Sequence, residues 1–220
     1  MARETEIKLR VADKAALLKK LRLVGARTVA AGSGRVHEWN TLYDTPGQDL
    51  RGKDLLLRVR VETPTDHSSS RNKKRFILTF KGPVKGARPS SAKRSTDDRR
   101  YGGNHKVREE IETEVGDVKA LGVIFAGLGM RESFHYEKYR TTLRMPESVR
   151  WANGLLIEVD ETPIGNFMEL EGRAAAIDQA ANLLGFSKDE YVLTNYLRLH
   201  AEECTKRREK VGDMVFRKRK

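Results

Sequence analysis

The chain has 220 residues, of which 38% are hydrophobic and 34% are charged, and its formal net charge is +12. A single cysteine, Cys204, excludes a disulfide framework and a cysteine-based zinc site. The sequence has no apolar run of about 18 residues that could span a membrane, and no apolar stretch of a signal peptide at its start. We therefore expect a cytoplasmic protein with one main domain.

The positive charge is concentrated in two segments. Segment 84–106 holds seven basic and two acidic residues, and segment 205–220 holds eight basic and two acidic residues, so together they carry +11 of the net +12. The first is predicted to be a flexible basic loop inserted in a domain over 1–204, and the second a basic C-terminal tail. Solvated surface is the expected role of both, with a weak polyanion contact as the alternative.

A period of two predicts strands along most of the chain. In the first strand Ile7 and Leu9 share one face, whereas Glu4, Glu6 and Lys8 share the other. The same alternation predicts six further strands, at 57–61, 76–81, 108–115, 138–143, 157–160 and 168–171.

Apolar stripes with helical spacing predict four helices, at 13–24, 117–128, 173–184 and 190–205. Asp13 and Asp117 stand where an N-cap is expected, and Ser187 with Glu190 forms a capping box before the last helix. We expect these helices to pack on the apolar outer side of the strands, which predicts a closed α+β domain.

The polar faces of the predicted strands separate charges by sign. Carboxylates dominate 4–6, 110–114, 158–160 and 169–171, and cations dominate 58–60 and 138–140 together with Lys8 and Lys81. If the sheet closes into a barrel, these faces meet in one lumen, where a ligand must compensate the buried charges. Clustered carboxylates suit Mg²⁺ and clustered arginines suit phosphate oxygens, so the pattern favours phosphoryl chemistry over an ordinary wet sheet face.

Motifs that follow one another along residues 4–171 resemble those of the CYTH domain, or triphosphate tunnel metalloenzyme superfamily. These motifs are Glu4-x-Glu6-x-Lys8, Tyr43-Asp44-Thr45-Pro46, Leu57-Arg58-Val59-Arg60, Leu78-Thr79-Phe80-Lys81-Gly82-Pro83, Arg108-Glu109-Glu110-Ile111-Glu112, Lys138-Tyr139-Arg140, and Val159-Asp160-Glu161 with the segment 165–171. The resemblance implies an α+β fold, in which an eight-stranded antiparallel closed β-barrel encloses a triphosphate tunnel and helices pack outside.

The resemblance also implies roles by position. A divalent metal, Mg²⁺ or Mn²⁺, would be held by Glu4, Glu6, Asp160, Glu169 and Glu171. The triphosphate would be bound by Lys8, Arg58, Arg60, Lys81, Lys138 and Arg140. All of these cations except Lys138 are also expected to be catalytic, together with the acidic pair Glu110 and Glu112. Arg108 and Glu158 share the same faces and are interpreted as rim or structural ion pairs.

The predicted function is metal-dependent hydrolysis of a small triphosphate. Inorganic triphosphate is the first candidate, because no segment obviously recognises a base or a thiazolium. The pair Glu169-x-Glu171, with the acidic strand 110–114, favours hydrolysis. Class IV adenylate cyclase activity on ATP and thiamine triphosphatase activity stay open, as does a non-catalytic module that binds polyphosphate or RNA.

Overall fold

The computed structural model describes residues 2–29, 34–66, 73–85 and 104–217. Its strands are β1 (Ala2–Val11), β2 (Arg27–Thr28), β3 (Arg35–Asp44), β4 (Leu56–Pro64), β5 (Arg75–Lys81), β6 (Lys106–Glu114), β7 (Arg131–Arg144), β8 (Leu156–Thr162) and β9 (Gly165–Glu171). Its α-helices are α1 (Lys14–Leu23), α2 (Asp49–Gly52), α3 (Val118–Gly127), α4 (Ala174–Leu183) and α5 (Tyr196–Arg207). In the described residues, no helix is long and apolar enough to cross a membrane.

Eight of the strands form a closed antiparallel barrel. Their order is β7-β3-β4-β5-β6-β1-β9-β8, and pairing between β7 and β8 closes the ring. The two-residue β2 pairs only with the C-terminal end of β7. The predicted α+β fold with an eight-stranded closed barrel and helices outside is confirmed. Closure turns one face of every strand inward, so alternate residues of each strand share the lumen.

The apolar face of β1, β8 and β9 lies outside the barrel, against α1 and α4. Ile7 and Leu9 of β1 are buried in one cluster with Leu21 of α1, Ile157 of β8 and Ile177 of α4. Burial of these side chains supplies the hydrophobic stabilisation and leaves the intervening positions of each strand for the lumen.

The N-caps predicted for the helices at 13–24 and 117–128 are present at α1 and α3. Asp13 accepts a hydrogen bond from the backbone N–H of Ala16 at 2.9 Å, and Asp117 accepts one from Ala120 at 3.0 Å. Each cap satisfies a backbone donor that the first helical turn leaves without a partner.

The last helix begins later than predicted. The capping box Ser187–Glu190 is present, but it opens only a single 3₁₀ turn. The chain then runs extended, and Val192 exchanges two backbone hydrogen bonds with Lys8, at 3.0 and 2.8 Å. The start predicted for the helix 190–205 is therefore wrong, because pairing with β1 replaces the helix until Tyr196.

The period-two pattern does not predict strand β3. In β3 the inward positions are Glu38 and Asn40, both fully buried, whereas Trp39 on the outer face is 39% exposed. Glu38 and Asn40 alternate with Val36 and Leu42, and Trp39 alternates with His37 and Thr41, so neither set of alternate positions is consistently apolar.

The predicted basic loop 84–106 connects β5 to β6, and its residues 86–103 lie outside the described part of the chain. Both of its described ends differ from a solvated loop. Val84 is buried and its backbone N–H donates to the Asp54 carboxylate at 2.9 Å. Lys106 is the first residue of β6, and its side chain is buried. The loop prediction is wrong at these ends, because Asp54 holds the backbone of Val84 and Lys106 already pairs with Glu6 of β1.

The described part of the basic tail folds back onto β7. Met214 forms a parallel bridge with Tyr136 and its side chain is fully buried. The backbone N–H of Phe216 donates to the Glu137 carboxylate at 2.6 Å. The solvated tail that we expected is therefore wrong at Met214. The physical reason is that β8 pairs with β7 only from Tyr139 onward, which leaves an earlier backbone edge of β7 for the tail.

Candidate active site

The barrel encloses a cavity of about 340 Å³. Its lining includes charged residues from seven strands, which are Glu4, Glu6, Lys8, Arg58, Arg60, Lys81, Lys106, Arg108, Glu110, Glu112, Lys138, Arg140, Glu158, Glu169 and Glu171; Asp44, Arg51 and Asp54 also line it. The structure thus brings every sequence-predicted site residue except Asp160 to one cavity wall.

Carboxylates are crowded where β1 meets β9. The strand register places Glu6 directly opposite Glu171 on the same face. Like charges in this arrangement repel each other. Burial, together with the carboxylates of Glu158, Glu4 and Glu6, raises the pKa of Glu171 to about 8. This part of the wall therefore holds a surplus of carboxyl groups, which disfavours the ionisation of Glu171.

Lysines hold the carboxylates of β1. The ammonium group of Lys81 lies 2.7 and 2.8 Å from the two carboxylate oxygens of Glu4. Lys106 lies 2.6 Å and Lys8 3.4 Å from the same oxygen of Glu6. Burial alone would raise the pKa of Glu6, but Lys106 and Lys8 hold it well below its usual value. Glu6 is therefore ionised at neutral pH.

The two arginines of β4 are aligned by one carboxylate. Glu112 accepts hydrogen bonds from Arg58 at 3.2 Å, from Arg60 at 3.0 Å and from the hydroxyl of Thr79 at 2.7 Å. Arg58 also donates to the hydroxyl of Tyr136 at 3.1 Å. The guanidinium groups are thereby fixed next to each other, in the arrangement that bidentate phosphate binding requires.

Asp160 lies behind the cavity wall and holds the cations of β7. Its carboxylate accepts two hydrogen bonds from Arg140, both at 2.7 Å, and one each from Lys138 and Tyr196, both at 2.8 Å. Because both of its oxygens are engaged, this geometry favours a positioning role over the metal-ligand role that the resemblance implies.

Glu158 belongs to the cavity wall rather than to its rim. Its carboxylate forms an ion pair with Arg140. Burial raises the pKa of Glu158 to about 7; Arg140 opposes this shift, whereas Glu169 and Asp160 add to it. Glu158 therefore belongs to the same crowded group of carboxyl groups as Glu171.

A buried carboxylate on β3 is not identified by the sequence pattern. Glu38 is fully buried, and its oxygens lie 3.6 Å from Arg60, 3.5 Å from Lys138 and 3.7 Å from Arg140. The carboxylate of Glu38 and the amide of Asn40 have no hydrogen-bond partner among the described residues. The signal that could have identified them is their spacing of two residues just before the Tyr43-Asp44 motif.

Two further residues of the wall were also missed. Lys106 lies in the segment predicted to be a basic loop, although it continues the alternation of Arg108 and Glu110. Tyr196 comes from α5, and its ring centroid lies 5.4 Å from the Lys8 ammonium nitrogen. No local pattern identifies Tyr196, because only the packing of α5 against the barrel brings the phenol to the cavity.

A divalent metal fits the chemistry of the donor set on β1 and β9. Glu4, Glu6, Glu169 and Glu171 supply oxygen donors from two adjacent strands, which hard cations prefer. As placed, no three His, Cys, Asp or Glu side chains of the described residues converge into a metal-binding group. Three of these four carboxylates are engaged in ion pairs, whereas Glu171 has no ion-pair partner within the described chain.

A closed barrel lined by facing carboxylates and cations is suited in its chemistry to a polyanionic ligand together with a cation. The family model of the CYTH domain matches residues 2–190, and the chain belongs to the CYTH family. Members of this family act on triphosphates, as adenylate cyclases or triphosphatases, and in general depend on a divalent metal.

Relatives with similar sequence or fold carry related names. A protein of Methanocaldococcus jannaschii named "putative adenylate cyclase" is 23% identical over 207 residues, which cover 89% of this chain and 97% of the relative. A structure with the same kind of name from Vibrio parahaemolyticus has a TM-score of 0.64 and 16% identity, covering 90% and 97% of the two chains. A Hippeastrum protein described as having a dominant triphosphatase activity has a TM-score of 0.55 and 16% identity, covering 94% and 97%. The two structures show the fold.

Proposed function

We propose that this chain is a divalent-metal-dependent triphosphatase that hydrolyses inorganic triphosphate inside the barrel. The observation that carries this proposal is the gathering of cations from β1, β4, β5 and β7 opposite the carboxylates of β1 and β9 in one cavity. A triphosphate with one metal ion is still strongly negative, so several cations must neutralise it. The triphosphatase activity described for the Hippeastrum relative supports the same reaction.

The cations bind and orient the substrate. Arg58 and Arg60 take phosphate oxygens with their aligned guanidinium groups, and the proposed triphosphate contacts are completed by Lys8, Lys81, Lys138 and Arg140. Glu112 holds both arginines in place, and Glu110, 3.0 Å from the Lys81 ammonium, positions that lysine. Fixing these side chains before binding reduces the entropy lost when the substrate binds.

The carboxylates of β1 and β9 are the proposed metal site. Bound to Glu4, Glu6, Glu169 and Glu171, Mg²⁺ or Mn²⁺ would supply Lewis-acid charge to the phosphate oxygens and to the attacking water. Water attacks the terminal phosphorus, the anhydride P–O bond breaks, and phosphate and pyrophosphate leave. Asp160 acts through Arg140, which it holds at the cavity wall.

A second candidate is adenylate cyclase activity, which the names of the archaeal and Vibrio relatives favour. In that reaction the ribose 3′-hydroxyl attacks the α-phosphorus of ATP and pyrophosphate leaves. The two reactions are separated by incubating the protein with Mg²⁺ and, in separate samples, inorganic triphosphate, ATP or thiamine triphosphate. We expect phosphate release to be fastest from inorganic triphosphate; cyclic AMP as the main product from ATP, without phosphate release from triphosphate, would contradict the proposal.

The metal assignment is tested by Glu6→Gln. This substitution keeps the side chain's shape but removes a donor charge, so we expect turnover of inorganic triphosphate to be abolished while the circular dichroism spectrum stays unchanged. Glu109→Gln is the matched control on the same barrel, because the Glu109 side chain is 47% exposed. Turnover at the wild-type rate in Glu6→Gln would reject the assignment.

The phosphate contacts are tested by Arg58→Ala and Arg60→Ala. Each variant loses a charged hydrogen bond to substrate, so each is expected to weaken transition-state or substrate binding by about 1.5–3 kcal/mol, read from kcat/KM and KM. Arg75→Ala, at the exposed end of β5, should leave both constants unchanged. Unaltered kinetics in both β4 variants would remove these arginines from the site.

A further inference from the structure

Lys106 stands on β6 directly opposite Glu6 of β1. Its side chain is only 6% exposed, and its ammonium nitrogen lies 2.6 Å from the Glu6 carboxylate. A lysine on the next strand, Lys81, engages both oxygens of Glu4 in the same way. The two carboxylates of β1 are thus each neutralised by a lysine from a neighbouring part of the barrel wall.

On the other side of β1, Glu6 faces a carboxylate instead of a lysine. Glu171 of β9 lies opposite Glu6, and within the described chain it has no ion-pair partner. The described residues also hold no group of three donor side chains that converge on one point. Glu6 therefore stands between Lys106 of β6 and Glu171 of β9, and the short contact of its carboxylate is with Lys106.

We propose that Lys106 is a resident counter-cation that holds Glu6 while the metal is absent and transfers to a phosphate oxygen when metal and triphosphate enter together. This inference rests on the proposed function, because it assumes the metal site on β1 and β9. An ammonium group and a divalent cation compete for one carboxylate, so the free protein binds metal weakly. The triphosphate offers Lys106 a new anionic partner and thereby frees Glu6.

The consequence is a coupling between the two ligands. A ligand that raises the affinity for a second ligand is itself bound more tightly in the presence of the second, by the same factor. Metal and triphosphate therefore bind cooperatively, and the free tunnel is protected from filling with metal alone. Lys106 is a positioning residue in this scheme, since it acts through Glu6 before it contacts phosphate.

The test measures Mn²⁺ binding by electron paramagnetic resonance of the free ion, without triphosphate and without turnover. Lys106→Gln removes the competing charge, so its Mn²⁺ affinity should rise by about tenfold, within the usual range of coupling between sites. Lys85→Gln is the control, because Lys85 also pairs with a glutamate but is 52% exposed. An imido analogue of triphosphate, which resists hydrolysis, should raise the Mn²⁺ affinity of the wild type more than that of Lys106→Gln.

The possible results distinguish a failure of this inference alone from a failure of the proposed metal site. If Glu6→Gln abolishes Mn²⁺ binding but Lys106→Gln leaves it unchanged or weaker, the counter-cation role is wrong and the metal site stands. If Glu6→Gln binds Mn²⁺ as the wild type does, the metal site and the inference both fail. Should Lys106→Gln not fold, Lys106→Arg keeps the competing charge, and a rise in its Mn²⁺ affinity would overturn the inference.

Discussion

Individual side chains of the tunnel wall are stabilised by charge pairing rather than by apolar packing. Glu38 shows this most clearly, because it is fully buried between Arg60, Lys138 and Arg140. Burial alone would raise the pKa of Glu38, but these cations hold it well below its usual value, so the carboxylate is ionised at neutral pH. Removing such a charge leaves buried cations uncompensated, which is more costly than losing the pair as a whole.

Glu38→Gln is therefore expected to destabilise the ligand-free protein by about 3 kcal/mol, measured by urea unfolding. Inorganic triphosphate with EDTA should reduce this loss, because phosphate oxygens replace the missing negative charge. Glu132→Gln is the control, since this glutamate is exposed on β7. Equal stability of Glu38→Gln and the wild type without ligand would contradict the expected role.

The pH dependence of stability is set in part by Glu171. Its pKa rises from 4.5 to about 8 on folding, so ionisation of the folded form is unfavourable. Below the unfolded pKa this group has no effect on stability, and between pH 4.5 and 8 it makes the folded state progressively less stable. In EDTA, the thermal midpoint of the wild type should fall from pH 6 to 9, and less so in Glu171→Gln. The same fall in both proteins would contradict the assignment.

Among the elements, the tail and α5 pack against the closed barrel. Met214 packs with Phe134, Phe167, Tyr196 and Leu199 in one buried cluster. The cluster joins the end of the chain to β7, β9 and α5, and it supports Tyr196 beside the cavity. The basic residues of the described tail remain exposed, which explains why composition alone suggested a solvated segment.

Met214→Ala is expected to destabilise the protein by about 2–4 kcal/mol, the usual loss when a buried large side chain is truncated. Val211→Ala is the control in the same segment, because Val211 is 46% exposed, and it should change stability by less than about 0.5 kcal/mol. The free energy of unfolding of both variants is measured by chemical denaturation. Equal effects of the two substitutions would show that the tail does not pack as described.

At the scale of the molecule, barrel closure converts charged strand faces into one electrostatic site. The cations of the wall pair with carboxylates, so a triphosphate must compete with these ion pairs. Inorganic triphosphate in EDTA should raise the thermal midpoint, since a ligand at a 100-fold excess over its Kd stabilises the folded state by about 2.7 kcal/mol. Orthophosphate at equal concentration should do less, and added salt should weaken the effect. An unchanged midpoint would contradict triphosphate binding.

The sequence predicted much of the wall because strand faces are a local property. Alternation along five residues was enough to place Glu4, Glu6 and Lys8 on one face, whichever strand lies next to them. Alternation does not identify β3, because Glu38 and Asn40 alternate with the apolar residues Val36 and Leu42. Alternation also does not identify Lys106, because the residues before it in the sequence belong to a basic segment.

What the sequence alone determined was which side chains share a face, and the order of motifs that assigns the chain to its family. Which charge meets which was decided only by the tertiary structure. Lys81 pairs with Glu4 across 77 positions of the chain, and Lys106 with Glu6 across 100. Such pairs depend on strand order, register and closure, because a barrel brings together residues whose separation along the chain carries no information about their distance.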